Sequence, residues 1–182
     1  MIRTLDLIFS FLGLVFLLPV MAIISILIMA FDGPAIFSQK RLGRNKRVFT
    51  LYKFRTMKLN TESKASHLVA SSSITGIGKF LRKTKLDELP QLFNVLTGEM
   101  SLVGPRPNLE SQKELINERD VKNVFNVRPG ITGLAQINHI DMSNPKKLAT
   151  TDSEMIANLT IRSYFYYILK TITGGGAGDA VK

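Results

Sequence analysis

The chain has 182 residues, enough for one domain with a real core but not for two domains and a membrane segment. Lys and Arg number 24 against 14 Asp and Glu, and the formal charge of +10 favours an anionic partner: nucleic acid, phospholipid head groups or a phosphorylated substrate. The absence of cysteine excludes disulfides, thiolate catalysis and cysteine-ligated metal sites.

The first predicted element is a membrane segment. From Leu7 to Phe31 the chain carries no charge, and this run of about 25 residues can cross the roughly 30 Å hydrocarbon core of a bilayer. A cleaved secretory signal is not expected, because such a signal has a shorter apolar core. Pro19 cannot donate a backbone hydrogen bond, so it kinks or breaks a helix there. Basic residues flank both ends, which suits a re-entrant hairpin, and a kinked single span fits the residues equally well.

A β-hairpin is predicted next. The short apolar piece 35–37 and the β-rich stretch 48–54 flank a basic loop over 41–47 that contains Gly43 and Asn45. The polar stretch 58–73 predicts a surface loop or a mobile lid over a substrate.

Short helices and turns are predicted over the rest of the chain. The stretch 161–172 predicts a helix whose aromatic residues suit either a membrane interface or an ordinary core. The glycine-rich stretch 174–178 predicts a flexible tail. The other predictions are helices over 77–83, from about 87 to 96 and over 109–124, an irregular stretch over 100–107, and turns beside a short strand over 127–137.

Asp87 and Glu88 are adjacent carboxylates with two possible uses. In the structural one, Thr84 and Asp87 form a capping box, or Asp87 is itself the N-cap of a helix. In the functional one, the amides and partial positive charge of the helix start keep Asp87 ionised and attract a phosphate, which makes Asp87 a candidate nucleophile. The residues alone leave both uses open.

Arginines beside prolines are the second group of candidates. Arg106 stands between Pro105 and Pro107, which fix the backbone and lower the entropy cost of aiming a guanidinium at an anion. The alternative for Arg106 is an ion pair with a carboxylate that stabilises the loop. Arg128 precedes a proline in a glycine-containing stretch where backbone amides can approach a ligand. Further basic candidates near predicted element ends are Lys53, Arg55 and Arg82.

Four motifs in their order along the chain resemble the bacterial sugar transferases, monotopic phosphoglycosyl transferases that initiate capsule, O-antigen, exopolysaccharide or glycoprotein glycan assembly. The resemblance covers nearly the whole chain, about residues 2–173. The motifs are YKFRTM at 52–57, LDELPQLFNV at 86–95, MSLVGPRP at 100–107 and RPGITGLAQ at 128–136.

The resemblance implies the architecture. We expect an α+β fold, mostly helical, with a small β-hairpin and interfacial amphipathic helices. A re-entrant helix-break-helix over 1–33, broken at Pro19, would precede a compact cytoplasmic catalytic domain over 34–173 and a flexible tail over 174–182. The expected location is the cytoplasmic face of the bacterial plasma membrane. The chain has no room for the extra transmembrane bundle of larger members, so the expected form is the small one.

The resemblance also implies the chemistry. Asp87 matches the nucleophile that attacks the β-phosphate of a UDP-sugar and releases UMP, and Glu88 matches its acidic partner. Polyprenyl phosphate then attacks the covalent intermediate. Mg²⁺ is the implied cofactor, held near Asp87 and the substrate oxygens. Phosphate groups would be held by five basic residues: Lys53, Arg55, Arg82, Arg106 and Arg128. This assignment expects Asp87 at the bilayer surface rather than in the protein interior.

The sequence departs from the resemblance at several positions downstream of the last motif. His139-Ile140-Asp141 stand where many relatives have a glycine and an arginine, and Met155 stands where a tyrosine is common, whereas Asp152 fits an acidic position. These changes should affect the choice of sugar more than the reaction. A lone His139 is expected to be an exposed loop residue rather than a base.

The expected partners are a UDP-sugar, polyprenyl phosphate and the phospholipid membrane, with a homodimer as an open alternative and nucleic acid not expected. The main rival interpretation is a non-enzymatic, membrane-tethered basic module that binds anionic lipid or nucleic acid, in which the acid pair has no special role. Another is a membrane phosphatase or nucleotidyl transferase that uses the same carboxylates with a metal.

Overall fold

The structure is a computed structural model that describes residues 1–59, 61 and 73–174. It begins with a 30-residue helix, α1 (Ile2–Phe31), that contains Pro19. This helix is long and apolar enough to cross a membrane, with a mean hydropathy of 2.9 in a window that is only 11% buried. The expected division into two helices at Pro19 differs from the structure, in which α1 continues as one helix through the proline. A proline removes one hydrogen bond, and membrane helices tolerate it.

Helix α1 contacts the rest of the protein near both of its ends. Asp6 and Ser10 are buried in its first turns, and Ile24 and Ile28 are buried near its end, where they pack on Phe54 and other core residues. Between these contacts most apolar side chains are exposed, with Phe16 75% and Leu18 63% accessible, whereas Leu14, Leu17 and Met21 are partly buried. Such a large exposed apolar surface is typical of a lipid-facing or interface helix.

The predicted β-hairpin is confirmed. Strand β1 (Ile36–Leu42) pairs antiparallel with β2 (Val48–Phe54), with Ile36 opposite Phe54 and Leu42 opposite Val48. The predicted loop over 41–47 is shorter than expected, because β1 extends through Leu42 and a 3₁₀ turn over Arg44–Lys46 makes the connection.

Two short helices follow the hairpin. Helix α2 (Gly76–Thr84) begins where the Thr75 hydroxyl accepts a hydrogen bond from the backbone N–H of Gly78 at 3.0 Å. A 3₁₀ turn over Leu86–Glu88 separates it from α3 (Gln91–Leu96), which packs on α1. Most of the predicted surface loop over 58–73 lies outside the described residues.

A second, two-stranded sheet lies at the centre of the remaining chain. Strand β3 (Ser101–Val103) pairs in parallel with β4 (Gly130–Thr132). The expectation of an irregular stretch over 100–107 is therefore wrong for its first residues, because a partner far along the chain supplies their hydrogen bonds. The other elements are α4 (Lys113–Val121), a 3₁₀ turn over Val124–Asn126, α5 (Leu134–Ile137), α6 (Pro145–Ala157) and α7 (Ile161–Ile172).

Helix α7 has the predicted bounds, and one of its sides packs in the core, whereas the membrane-interface use stays a prediction. Tyr164 and Tyr167 are buried against Val103 and Met155, whereas Leu169 and Ile172 are 61% and 77% exposed. Together these elements give a mixed, mostly helical fold with a long apolar N-terminal helix. The predicted tail, beyond Gly174, lies outside the described residues.

Candidate active site

The acid pair lies on the 3₁₀ turn between α2 and α3. Helix α2 ends because Lys85 adopts a left-handed conformation with φ of 58°, and α3 begins only at Gln91. The hydroxyl of Thr84 donates to the carbonyl of Phe80 at 2.9 Å, within its own helix. The capping interpretation of Thr84 and Asp87 is therefore wrong. The argument that a helix start keeps Asp87 ionised loses its basis for the same reason.

Both carboxylates are buried. Asp87 is 2% and Glu88 6% accessible, which contradicts the expectation that Asp87 lies exposed at a surface. Arg106 donates from Nη2 to Oε1 of Glu88 at 2.8 Å and is the more exposed partner, at 23%. Burial lowers the pKa of Lys85, Glu88 opposes that shift and Arg106 adds to it. Glu88, Lys85 and Arg106 thus form one buried or half-buried charged group, and Asp87 precedes Glu88 on the same 3₁₀ turn.

The ion-pair alternative for Arg106 is confirmed, and its partner is a member of the acid pair itself. This places an arginine beside Glu88, the residue that follows the candidate nucleophile in the chain. An arginine can exchange a carboxylate for a phosphate, because both anions accept two parallel hydrogen bonds from a guanidinium.

A buried polar network fixes the backbone at Arg106 and at the two residues that follow it. Arg119 donates to the carbonyl of Arg106 at 2.8 Å and to Oδ1 of Asn108 at 2.9 Å, and it forms an ion pair with Asp152 at 2.7 Å. Arg41 donates to the carbonyl of Pro107 at 3.1 Å. Burial raises the pKa of Asp152, and Arg119 opposes the shift. The sequence interpretation missed Arg41 and Arg119, and the only signal for this network was the familiar acidic position of Asp152.

Three other predicted phosphate-binding residues lie on elements next to the acid pair. Arg82, on α2, donates from Nε to the hydroxyl of Thr56 at 2.8 Å. Lys53 and Arg55 lie at the end of β2 and place their charges 5.7 and 5.9 Å from the ring centre of Phe37. Strand β2 and helix α2 both contact the 3₁₀ turn that carries the acid pair.

Arg128 is the predicted residue that the structure does not bring to the acid pair. Its backbone carbonyl lies close to Gly104, but its Nε donates to the carbonyl of Gly98 at 2.7 Å. The charges that act on its guanidinium belong to Arg3, Arg44 and Asp6. Its side chain therefore lies in a different environment from that of Arg106.

The acid pair fits one kind of metal site. Across the described ranges, no three His, Asp or Glu side chains come together as a group that could hold a metal ion. A site made by protein ligands alone is therefore not built there. Mg²⁺ commonly binds one or two carboxylates together with substrate phosphate oxygens, and Asp87 with Glu88 provides that number of donors.

Two of the departing residues, His139 and Met155, lie in different environments. His139 is exposed and has a φ of 57°, a conformation that glycine adopts without strain, so the prediction of an exposed loop histidine is confirmed. Met155 is 1% accessible, and its sulfur lies 3.1 Å from the backbone nitrogen of Leu134.

The chain is similar to known proteins over most of its length. A family model described as bacterial sugar transferase matches residues 1–175. The chain is 41% identical to a galactosyl transferase of Streptococcus agalactiae over 77% of its own length and 34% of that protein. It is 35% identical to an undecaprenyl-phosphate galactose phosphotransferase of Salmonella typhimurium over 93% of its length and 39% of that protein. It is also 35% identical to a UDP-N-acetylgalactosamine-undecaprenyl-phosphate N-acetylgalactosaminephosphotransferase of Aeromonas hydrophila, over 96% of its length and 44% of that protein. The chain thus spans less than half the length of these relatives.

Proposed function

Since the chain belongs to the bacterial sugar transferase family, we propose that it transfers a phosphosugar from a UDP-sugar to polyprenyl phosphate at the cytoplasmic face of the bacterial plasma membrane. The observation that carries this proposal is the 3₁₀ turn that carries the buried Asp87 and Glu88 and places Glu88 2.8 Å from the guanidinium of Arg106. The names of the relatives from Salmonella and Aeromonas support undecaprenyl phosphate as the acceptor.

The proposed chemistry uses two displacements at one phosphorus atom. A carboxylate oxygen of Asp87 attacks the β-phosphorus of the UDP-sugar, the bond from that phosphorus to the bridging oxygen breaks, and UMP leaves with the electron pair. An oxygen of polyprenyl phosphate then attacks the same phosphorus and releases the carboxylate of Asp87. Splitting the exchange in this way lets both substrates use one phosphate site in turn.

Substrate entry must uncover the nucleophile, because Asp87 is 2% accessible. Arg106 is suited to this step, since it is the more exposed member of its ion pair and a substrate phosphate can compete with Glu88 for it. Arg82, Lys53 and Arg55 are the proposed further phosphate ligands. Asp87 and Glu88 would hold Mg²⁺ together with substrate oxygens, and the ion would neutralise the charge of the diphosphate.

The contacts of α1 support a re-entrant arrangement in the membrane. A helix that crosses the bilayer once leaves its two ends on opposite sides, yet α1 contacts this domain through Asp6 near its start and through Ile28 near its end. The exposed residues between them, including Phe16, then form the part that dips into the lipid. Such a shallow insertion would present the acid pair to a lipid phosphate at head-group height.

The decisive experiment withholds the acceptor. The protein in neutral detergent is incubated with a panel of radiolabelled UDP-sugars and Mg²⁺, and released UMP and the mass of the intact protein are measured. We expect about one equivalent of UMP per enzyme and a mass increase of one phosphosugar with the correct donor. Asp87→Asn should lose both signals, because the amide keeps the shape of the side chain but not its nucleophilic charge.

The matched control is Asp120→Asn, which makes the same change at an acid that is 53% exposed and paired with Lys46. It should label and turn over like the wild type. UMP that appears only after polyprenyl phosphate is added, without a labelled protein, would indicate direct displacement instead. Release of inorganic phosphate from polyprenyl phosphate would indicate the phosphatase alternative. If no donor gives either UMP or a lipid product, the non-enzymatic binding module is favoured.

A further inference from the structure

Arg128 lines a cleft that the proposed reaction does not use. This cleft, the Arg128 cleft, has a volume of about 380 Å³, within the range of small-molecule sites. Its basic lining residues come from two separate parts of the chain: Arg44 and Arg47 from the connection between β1 and β2, and Arg128 from the residues before β4. The turn after α3, which includes Gly98, forms another wall.

The Arg128 cleft has more positive than negative side chains in its wall, three arginines against one glutamate. Among the residues that the structure describes, no carboxylate forms an ion pair with Arg44, Arg47 or Arg128. Glu99 also lines the cleft, but its Oε2 accepts a hydrogen bond from Asn94 at 2.7 Å and another from Thr97 at 3.3 Å. Three guanidinium groups and one carboxylate leave a net positive charge around the cleft, which an anionic ligand would neutralise.

The direction in which the pKa of Arg128 is shifted agrees with an excess of positive charge in the cleft. Burial lowers the pKa of Arg128, the neighbouring Arg3 and Arg44 lower it further, and Asp6 opposes the shift. Asp6 is already engaged, since its carboxylate accepts hydrogen bonds from Ser101. The net effect of the neighbouring charges on Arg128 is therefore that of a site with an excess of cations.

The Arg128 cleft also lies next to the start of the apolar helix. Arg3, in the first turn of α1, donates to the carbonyls of Leu96 and Met100, at 3.3 and 3.2 Å, and these two residues flank the turn that walls the cleft. The charge-free stretch of α1 begins only four residues later, at Leu7. In the membrane arrangement proposed above, the cleft therefore lies at head-group height.

We propose that the Arg128 cleft is a second anion site that binds a phosphate group, separate from the site at Asp87 and Glu88. Arginine suits this ligand because its planar guanidinium donates paired hydrogen bonds to phosphate oxygens. The phosphate belongs either to the head group of an anionic phospholipid or to a soluble phosphate compound, and the two sources present the same chemistry to the arginines.

The test compares two double variants with equal change of charge. Arg44→Gln with Arg47→Gln removes two exposed cations of the cleft, and Lys146→Gln with Lys147→Gln removes two exposed cations at the start of α6. Each protein is purified in neutral detergent and titrated in two arms, one with short-chain phosphatidylglycerol and one with inorganic pyrophosphate. The thermal midpoint at each concentration gives the apparent affinity, because a ligand of the folded state stabilises it.

We expect the cleft variant to bind about tenfold more weakly than the lysine variant in one arm, and that arm identifies the source of the phosphate. Pyrophosphate that binds beside Arg106 affects both variants equally and cancels in the comparison. Val48→Glu, which adds a carboxylate at a 47%-exposed position of the cleft wall, should weaken the same arm without removing an arginine. Equal affinities of the cleft and lysine variants in both arms would overturn the proposal.

Discussion

The attachment of α1 to the domain can be tested at a single hydroxyl group. Tyr164 on α7 is fully buried and donates its phenolic hydrogen to Oδ1 of Asp6 at 2.9 Å. The same carboxylate accepts hydrogen bonds from the hydroxyl of Ser101 and from the backbone N–H of Leu102. Tyr164→Phe removes one donor from this group and leaves the others, so it isolates one bond between the start of α1 and the domain.

The expected loss follows from the type of bond. A hydrogen bond to a carboxylate contributes about 1.5–3 kcal/mol, so Tyr164→Phe should reduce the free energy of unfolding by about 2 kcal/mol. For a chain of this size that corresponds to a fall of about 4–8 °C in the thermal midpoint, measured by far-UV circular dichroism in neutral detergent. The matched control is Tyr166→Phe on the same helix, at a residue that is 48% exposed, and it should change the stability by less than about 0.5 kcal/mol.

A second readout depends on pH. Burial, and then the neighbouring Asp6, raise the pKa of Tyr164 far above its ordinary value, so the folded protein keeps the phenol protonated. An unfolded tyrosine loses its proton near pH 10, so this stabilisation is complete below about pH 10 and is lost as the pH rises further. Tyr164→Phe should flatten that alkaline decline. Equal midpoints for Tyr164→Phe and Tyr166→Phe, together with equal alkaline slopes, would refute the attachment of α1 through Asp6.

Two further pairs of substitutions test the support of the candidate active site, each by the change in thermal midpoint. A Cβ at Gly130 would collide with the backbone at the end of β3, so Gly130→Ala should lower the free energy of unfolding by about 3 kcal/mol or more. The control is Gly76→Ala, which should be neutral or slightly stabilising because a Cβ there meets nothing within 4 Å. An unchanged midpoint for Gly130→Ala would contradict the close pairing of β3 and β4. Asp152→Asn leaves Arg119 buried without its ion pair and should cost about 3–5 kcal/mol, whereas Asp120→Asn breaks an exposed pair and should cost less than about 1 kcal/mol. Similar effects of the last two substitutions would show that the buried pair does not hold the loop.

Local patterns predicted the elements whose residues interact with near neighbours. The hairpin of β1 and β2 follows from two apolar stretches around a basic turn, and the bounds of α7 follow from its helical spacing. Helix α6 was not predicted, although its start carries a recognisable signal: Asn144 caps the backbone N–H of Lys147, and Pro145 occupies the first helical position.

Long-range contacts account for what the sequence did not reveal. Strand β3 has only three residues and exists because β4 pairs with it from far along the chain. The motifs identified both Arg106 and Arg128 as candidates, since each arginine lies next to a proline. Their hydrogen-bond partners differ, because Arg106 reaches Glu88 and Arg128 reaches the carbonyl of Gly98. No local sequence pattern encodes those partners. The burial of Asp87 is likewise a property of the assembled fold.

The two attachments of α1 have a mechanical consequence. Asp6 and Ile28 are separated by about 33 Å of helical contour, at about 1.5 Å per residue. Because the domain contacts α1 at two distant points, it cannot rotate about either contact. In the proposed arrangement the catalytic domain would therefore diffuse laterally together with α1 as one rigid body. Its orientation relative to the bilayer would stay constant. A lipid carrier diffusing in the same leaflet would then meet the enzyme always in one orientation.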